Sequence, residues 1–128
     1  MNKRVAIYCK EMLKDVSIEE QKIKLLGHCK EQGYQVVKIY EDKLQDGKGR
    51  IKEVIDDSKK DIFTTVVFLK MSHIASDITE ICKFSEVLGD RGIAIRSITE
   101  GMETETTTGR FTISIMQEVD NFYKSLER

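Results

Sequence analysis

An α/β fold with a mostly parallel sheet flanked by helices is the architecture this sequence predicts, and three observations predict it. Short β-branched apolar runs alternate with longer segments of helical periodicity, an order that calls for parallel strands joined by right-handed crossovers. The first run, Val5 to Cys9 (VAIYC), is apolar throughout, the form taken by a strand buried on both faces. A chain of 128 residues suits one domain with one core.

After the first strand, Ser17-Ile18-Glu19-Glu20 opens a helix, with Ser17 as cap, Glu20 three places on, and Ile18, Leu25, Leu26 and Cys29 near helical spacing. Gly33 ends it, and Tyr34 to Tyr40 (YQVVKIY) is the second strand. Glu41 to Gly49 is polar and reads as a loop of functional length. Ile51, Val54 and Ile55 place a short helix on the sheet, and Thr64 to Leu69 (TTVVFL) is the third strand. Asp77-Ile78-Thr79-Glu80 caps the next helix, whose inner side carries Ile78, Ile81, Ser85 and Leu88. Gly92 precedes the fourth strand, Ile93 to Ile98. In the final helix Phe111, Ile115, Met116, Val119, Phe122, Tyr123 and Leu126 fall within roughly 140° of a helical wheel. That arc is wide for a helix covering only its own sheet. It reads either as a core helix or as one that shares its apolar face with a second subunit.

Composition excludes several classes. Apolar residues make up 40% and charged residues 34%, with a net charge of −1, so no global basic field advertises nucleic acid. Cys9, Cys29 and Cys82 are too far apart for a zinc knuckle or a redox pair and read as reduced core thiols. No segment has the form of a signal peptide or the length of a membrane span, so a cytoplasmic protein without a membrane partner is the expectation.

In open parallel sheets chemistry gathers at the carboxyl ends of the strands, here Cys9 to Val16, Asp42 to Arg50, Lys70 to Ser76 and Thr99 to Gly109. Across these segments "RVAIYC", "SIEEQ", "EQGYQVVKIYED", "RGIAIRSITEG" and "TTTGRF" resemble the catalytic domain of the serine site-specific recombinases, the resolvase and invertase family. The resemblance implies a doubly wound α/β domain over residues 1–128, ending in a long dimerisation helix at about 108–128. It implies no metal or other cofactor. The DNA-binding region that family members carry after that helix is not among these residues, and Arg110, Lys124 and Arg128 are offset by Glu118, Asp120 and Glu127, so DNA binding by this chain is expected to be weak.

The family attacks a DNA phosphodiester with a serine set two residues after an arginine, and its arginines stabilise the charge gathering on the attacked phosphate. In this chain the serine's position falls on Met12 and the arginine's on Lys10. A thioether has no proton to lose and forms no stable phosphoester by that route, and Glu11 adds a negative charge beside the place for a phosphate. After the third strand, a K-L-D-R-L-S-R type motif aligns with Lys70-Met71-Ser72-His73-Ile74-Ala75-Ser76, so the two arginines fall on His73 and Ser76 and the aspartate on Ser72. The family's second loop aligns with Leu44-Gln45-Asp46-Gly47, and Arg50 stands as the one arginine of catalytic type. Tyr8, Gln21 and Asp42 match the surroundings of the family site, and each also reads as structural: ring packing, helix-start bonding and loop capping.

Losing one donor to the transition state costs on the order of 3 kcal/mol, about a hundredfold in rate. Here the nucleophile and three charge-stabilising positions differ together. Ser17 reads as the helix cap. Ser72, His73 and Ser76 read as surface polarity, because no carboxylate is evident to orient His73. Cys9 invites comparison with cysteine phosphatases, but Lys14 stands where their closing arginine would be, and a core thiol fits better. The expectation is a recombinase-type domain of a mobile element, bacterial or phage-borne, that has lost cleavage and acts by homodimerising or by joining an active recombinase. The alternatives are an active module using another nucleophile or a partner's serine, and an α/β binding module unrelated to DNA.

Overall fold

The computed structural model describes residues 3–46 and 49–126. Strand β1 (Arg4–Lys10) leads to α1 (Ile18–Gln32), β2 (Gln35–Asp42), a 3₁₀ turn (Leu44–Asp46) and α2 (Ile51–Asp57). Strand β3 (Thr65–Phe68), a second 3₁₀ turn (Met71–His73), α3 (Ile78–Asp90), β4 (Ala94–Ser97), β5 (Met102–Glu103) and α4 (Thr107–Leu126) complete it. The sheet order is β2-β1-β3-β4-β5. The first four strands are mutually parallel, and β5 runs antiparallel to β4.

Alternation along β1 builds two cores. Val5, Ile7 and Cys9 meet Ile18, Leu25 and Cys29 of α1 on one face, while Ala6 and Tyr8 meet Val54 of α2 and Ile81, Phe84 and Leu88 of α3 on the other. Leu25 and Leu88 are fully buried, which stabilises the fold by about 2 kcal/mol for each such side chain. Helix α1 begins where Ser17 Oγ accepts the Glu20 amide at 3.1 Å. It ends at Gly33, whose φ of 72° lets the Tyr34 amide reach back to the Cys29 carbonyl at 2.9 Å.

Three readings of the sequence change. Strand β2 runs on to Asp42, two residues into the expected loop, because the whole of β1 to Lys10 pairs with it. Leu26 sits at the rim of α1, 39% exposed, and is not an inner residue. The hairpin strand β5 was not foreseen. At two residues it is too short to show a period, and it forms where Gly101, at φ 65°, turns the chain back.

Of the predicted apolar arc of α4, Met116 packs inward, together with Ile113 from outside that arc, against the α3 side of the core, and Asp120 accepts the Thr79 hydroxyl and the Lys124 ammonium. Phe111, Ile115, Val119, Phe122, Tyr123 and Leu126 face outward. Among the described residues no helix is long and apolar enough to cross a membrane. Glu127 and Arg128, and Gly47 of the second loop, lie outside the described residues.

Candidate functional site

In the strand order 2-1-3 the chain winds from β1 outward in both directions, so a crevice opens between the ends of β1 and β3, the place where open α/β sheets hold ligands. The loop after β1 is folded over it. The Glu11 amide donates to the Asp42 carbonyl at 2.8 Å, and the Asp15 amide closes a turn on the Met12 carbonyl at 3.3 Å. Lys14 takes the left-handed conformation at φ 59°, which costs a non-glycine residue about 1 kcal/mol. This turn directs the Asp15 carboxylate back across the crevice. Its Oδ1 accepts the Val16 amide at 2.6 Å and the Lys70 ammonium at 3.0 Å, and its Oδ2 lies 3.3 Å from His73 Nε2.

These contacts set the ionisation of the cluster. The Val16 amide, followed by Lys70, holds the Asp15 carboxyl down at about 2. His73 is fully buried, and burial pushes its pKa below the ordinary histidine value despite the opposing pull of Asp15, while the charges of Lys70 and Lys10 add to the fall. A carboxylate only accepts, so the neutral imidazole donates from Nε2, and Nδ1 has no hydrogen-bond partner among the described residues. Two expectations are corrected here. His73 is a core residue and not surface polarity, because the 3₁₀ turn Met71–His73 points it inward, and its orienting carboxylate is Asp15.

A second group lies on the β2 side. The Tyr8 hydroxyl donates to Asp42 Oδ2 at 2.5 Å, and the Arg50 amide donates to the same oxygen at 3.2 Å. Burial, then Asp42, pushes the Tyr8 phenol well above its ordinary range. The Arg50 guanidinium donates to the Glu41 carbonyl at 3.1 Å and to Glu53 at 2.9 Å. Glu11 accepts the Leu44 amide at 3.0 Å, so its charge is engaged on the second loop. Gln21, fully buried, donates to the carbonyls of Lys10 and Val16 and accepts the Lys10 amide at 2.9 Å, splinting both ends of the first loop.

The Asp15 carboxylate thus brings Lys70 and His73 together, with the charge of Lys10 acting on the same ring, and Tyr8, Asp42 and Gln21 brace the loops on either side. Met12 is half-buried. Ser72 and Ser76 are exposed, and the Ser17 hydroxyl is taken up as the α1 cap. Burial, with the charge of Glu41, pushes the Cys9 thiol up to about 12, so it stays protonated in its core position. Among the described residues no group of three or more His, Cys, Asp or Glu is placed to hold a metal ion. An open cleft of about 470 Å³ lined by Ser85, Ile93, Arg110 and Ile113 lies between α3, β4 and α4, away from this crevice. Asp15 is the residue the sequence reading missed. The signal was present: two segments expected to meet at the strand ends carry Asp15 and Lys70, an opposite-charge pair.

A family model described as Resolvase, N terminal domain, matches residues 8–128. The chain belongs to the resolvase family of serine recombinases. Solved structures carry the same fold. The N-terminal catalytic domain of TP901-1 integrase is 24% identical, with a TM-score of 0.88 over 98% of this chain and 100% of that one. A resolvase family site-specific recombinase from Streptococcus pneumoniae is 20% identical, with a TM-score of 0.88 over 99% of this chain and 91% of that one. The C-terminal catalytic domain of ISC1926 TnpA, an IS607-like serine recombinase, is 17% identical, with a TM-score of 0.65 over 74% of this chain and 70% of that one. A comparison with curated protein sequences finds no match. In this resolvase-family domain the ends of β1 and β3 carry the cluster of Asp15, Lys70 and His73.

Proposed function

We propose that this resolvase-family domain no longer cleaves DNA and acts by association, with a second copy of itself or with an active recombinase of a mobile element. The observation that carries this reading is the outward stripe of α4. Phe111, Ile115, Phe122 and Leu126 are 64%, 47%, 60% and 63% exposed, on a helix whose other side is already clamped to α3. A stripe of large apolar groups about four turns long is a contact surface in search of a cover. The chemistry points the same way: Met12 supplies no nucleophilic oxygen, Lys10 and a neutral His73 stand where the family has arginines, and Ser76 is a third such position. DNA contact by this chain is weak and salt-sensitive, given its balanced charge.

Light scattering tests the association. The unaltered protein is expected above its chain mass of 14.7 kDa, alone or after mixing with an active recombinase, and Phe122→Glu should return it to the chain mass. A monomer in both conditions would remove the reading.

A further inference from the structure

The crevice between β1 and β3 is where this topology would admit a ligand, and it is spanned by a side chain of the protein itself. Asp15 places one carboxylate oxygen on Lys70 and the other on His73, with the charge of Lys10 acting on the same ring. Lys70 follows β3 by two residues and His73 is fully buried, whereas the carboxylate between them is supplied by the loop from Met12 to Asp15. Within that loop the Asp15 amide closes a turn on the Met12 carbonyl, and Lys14 is left-handed.

A carboxylate and a phosphate present the same chemistry to such donors, anionic oxygens at charge-assisted hydrogen-bond distance. We infer that Asp15 is an internal ligand: it occupies an oxyanion site formed by Lys70 and His73, and the site accepts a phosphate-class anion only when this carboxylate is withdrawn. Leu13, at the tip of the loop, is 83% exposed. The inference does not depend on how α4 associates, and its test does not read oligomeric state.

Inorganic phosphate is the probe, titrated at constant ionic strength against chloride while the His73 ring and Val16 amide resonances are followed. The unaltered protein should show no saturable shift in the range where Asp15→Asn does. Where an internal occupant leaves a site open in under about a tenth of molecules, removing it tightens apparent binding by about tenfold or more. Asp15→Asn retains an oxygen for the Val16 amide, and Asp15→Ser offers a second variant with a shorter acceptor. Adding Lys70→Met to either should abolish the gain. Equal phosphate affinity with and without Asp15 would overturn the inference, as would folded Asn and Ser variants that both leave the two resonances unmoved.

Discussion

The Asp15 carboxylate lies 3.3 Å from Nε2 of His73, joining the loop after β1 to the turn after β3 through a ring that is fully buried. This contact has a pH signature. His73 titrates below the ordinary histidine value of about 6.5 because burial outweighs the attraction of Asp15. A proton added to Nδ1 would also find no acceptor among the described residues. The unfolded chain therefore binds this proton more readily than the folded one, and stability falls as pH drops below about 6.5 and continues to fall until the folded-state value is passed. Urea midpoints should decline from neutral to mildly acidic pH, and His73→Leu, which removes the titrating group, should flatten that decline. A slope unchanged in His73→Leu would show that the ring is not its source.

Helix α4 crosses β5 at Gly109, which is buried. A Cβ built there would lie 1.7 Å from the Glu103 carbonyl oxygen and 2.5 Å from its carbon. Both are backbone atoms, so no side-chain rotation relieves the clash, and the helix start must move off the hairpin. Overpacking of this kind typically costs roughly 1–3 kcal/mol, and Gly109→Ala is expected at the upper end of that range in urea unfolding. Gly27, on α1, has nothing within 4 Å of the equivalent position. Gly27→Ala should instead be neutral or slightly stabilising, because alanine is the better helix former.

How far the sequence carries can be judged from these same residues. The strands that end in the crevice were legible because they are buried on both faces and read as unbroken apolar runs. The caps at Ser17 and Asp77 were legible because their side chains bond only three residues ahead. The hidden parts are those made by distant partners. Gly109 looks like an ordinary glycine in "TTTGRF" until Glu103 is placed against it, and the Asp15 to Lys70 bond spans 55 residues. His73 looked like surface polarity beside Ser72, because a 3₁₀ turn sends neighbouring side chains to opposite environments. The α4 arc was legible as an arc, but its division between α3 and the exterior depends on where Thr79 meets Asp120.

Asp57 gives a prediction with the opposite dependence on ionisation. Its carboxylate, 6% exposed, accepts the Tyr40 hydroxyl at 2.7 Å and the ammonium groups of Lys38 and Lys60, each at 3.0 Å. The Tyr40 bond, with the two lysines, holds the carboxyl down at about 2. A depressed carboxylate contributes stability that is complete above the unfolded value of about 4 and is lost as pH falls toward the folded value. Asp57→Ala leaves the buried Tyr40 hydroxyl without this acceptor and should cost about 2 kcal/mol at neutral pH. The gap between the two proteins should stay constant above about pH 5 and narrow below about pH 4. A gap that widens on acidification would mean that Asp57 is already protonated in the fold.

Returning a serine to the first loop should not return strand cleavage. Met12→Ser restores an oxygen at the aligned position, yet the groups around that oxygen are arranged for another purpose. On the proposed alignment Lys10 is a point charge where the family's arginine offers a bidentate fork, and burial keeps His73 below the ordinary histidine value and so neutral at physiological pH. Lys70 already holds the Asp15 carboxylate at 3.0 Å. With each missing donor worth about a hundredfold in rate, the two arginine positions at Lys10 and His73 alone imply a deficit of roughly ten-thousandfold, before Ser76 is counted. Non-additivity reduces such a product but does not cancel it. On supercoiled DNA carrying candidate sites, a gel for trapped covalent complexes is therefore expected to show no protein adduct for the unaltered chain and none for Met12→Ser. A band in the Met12→Ser lane would show that the loop, Lys10 and His73 still support the attack, and that only the hydroxyl had been lost.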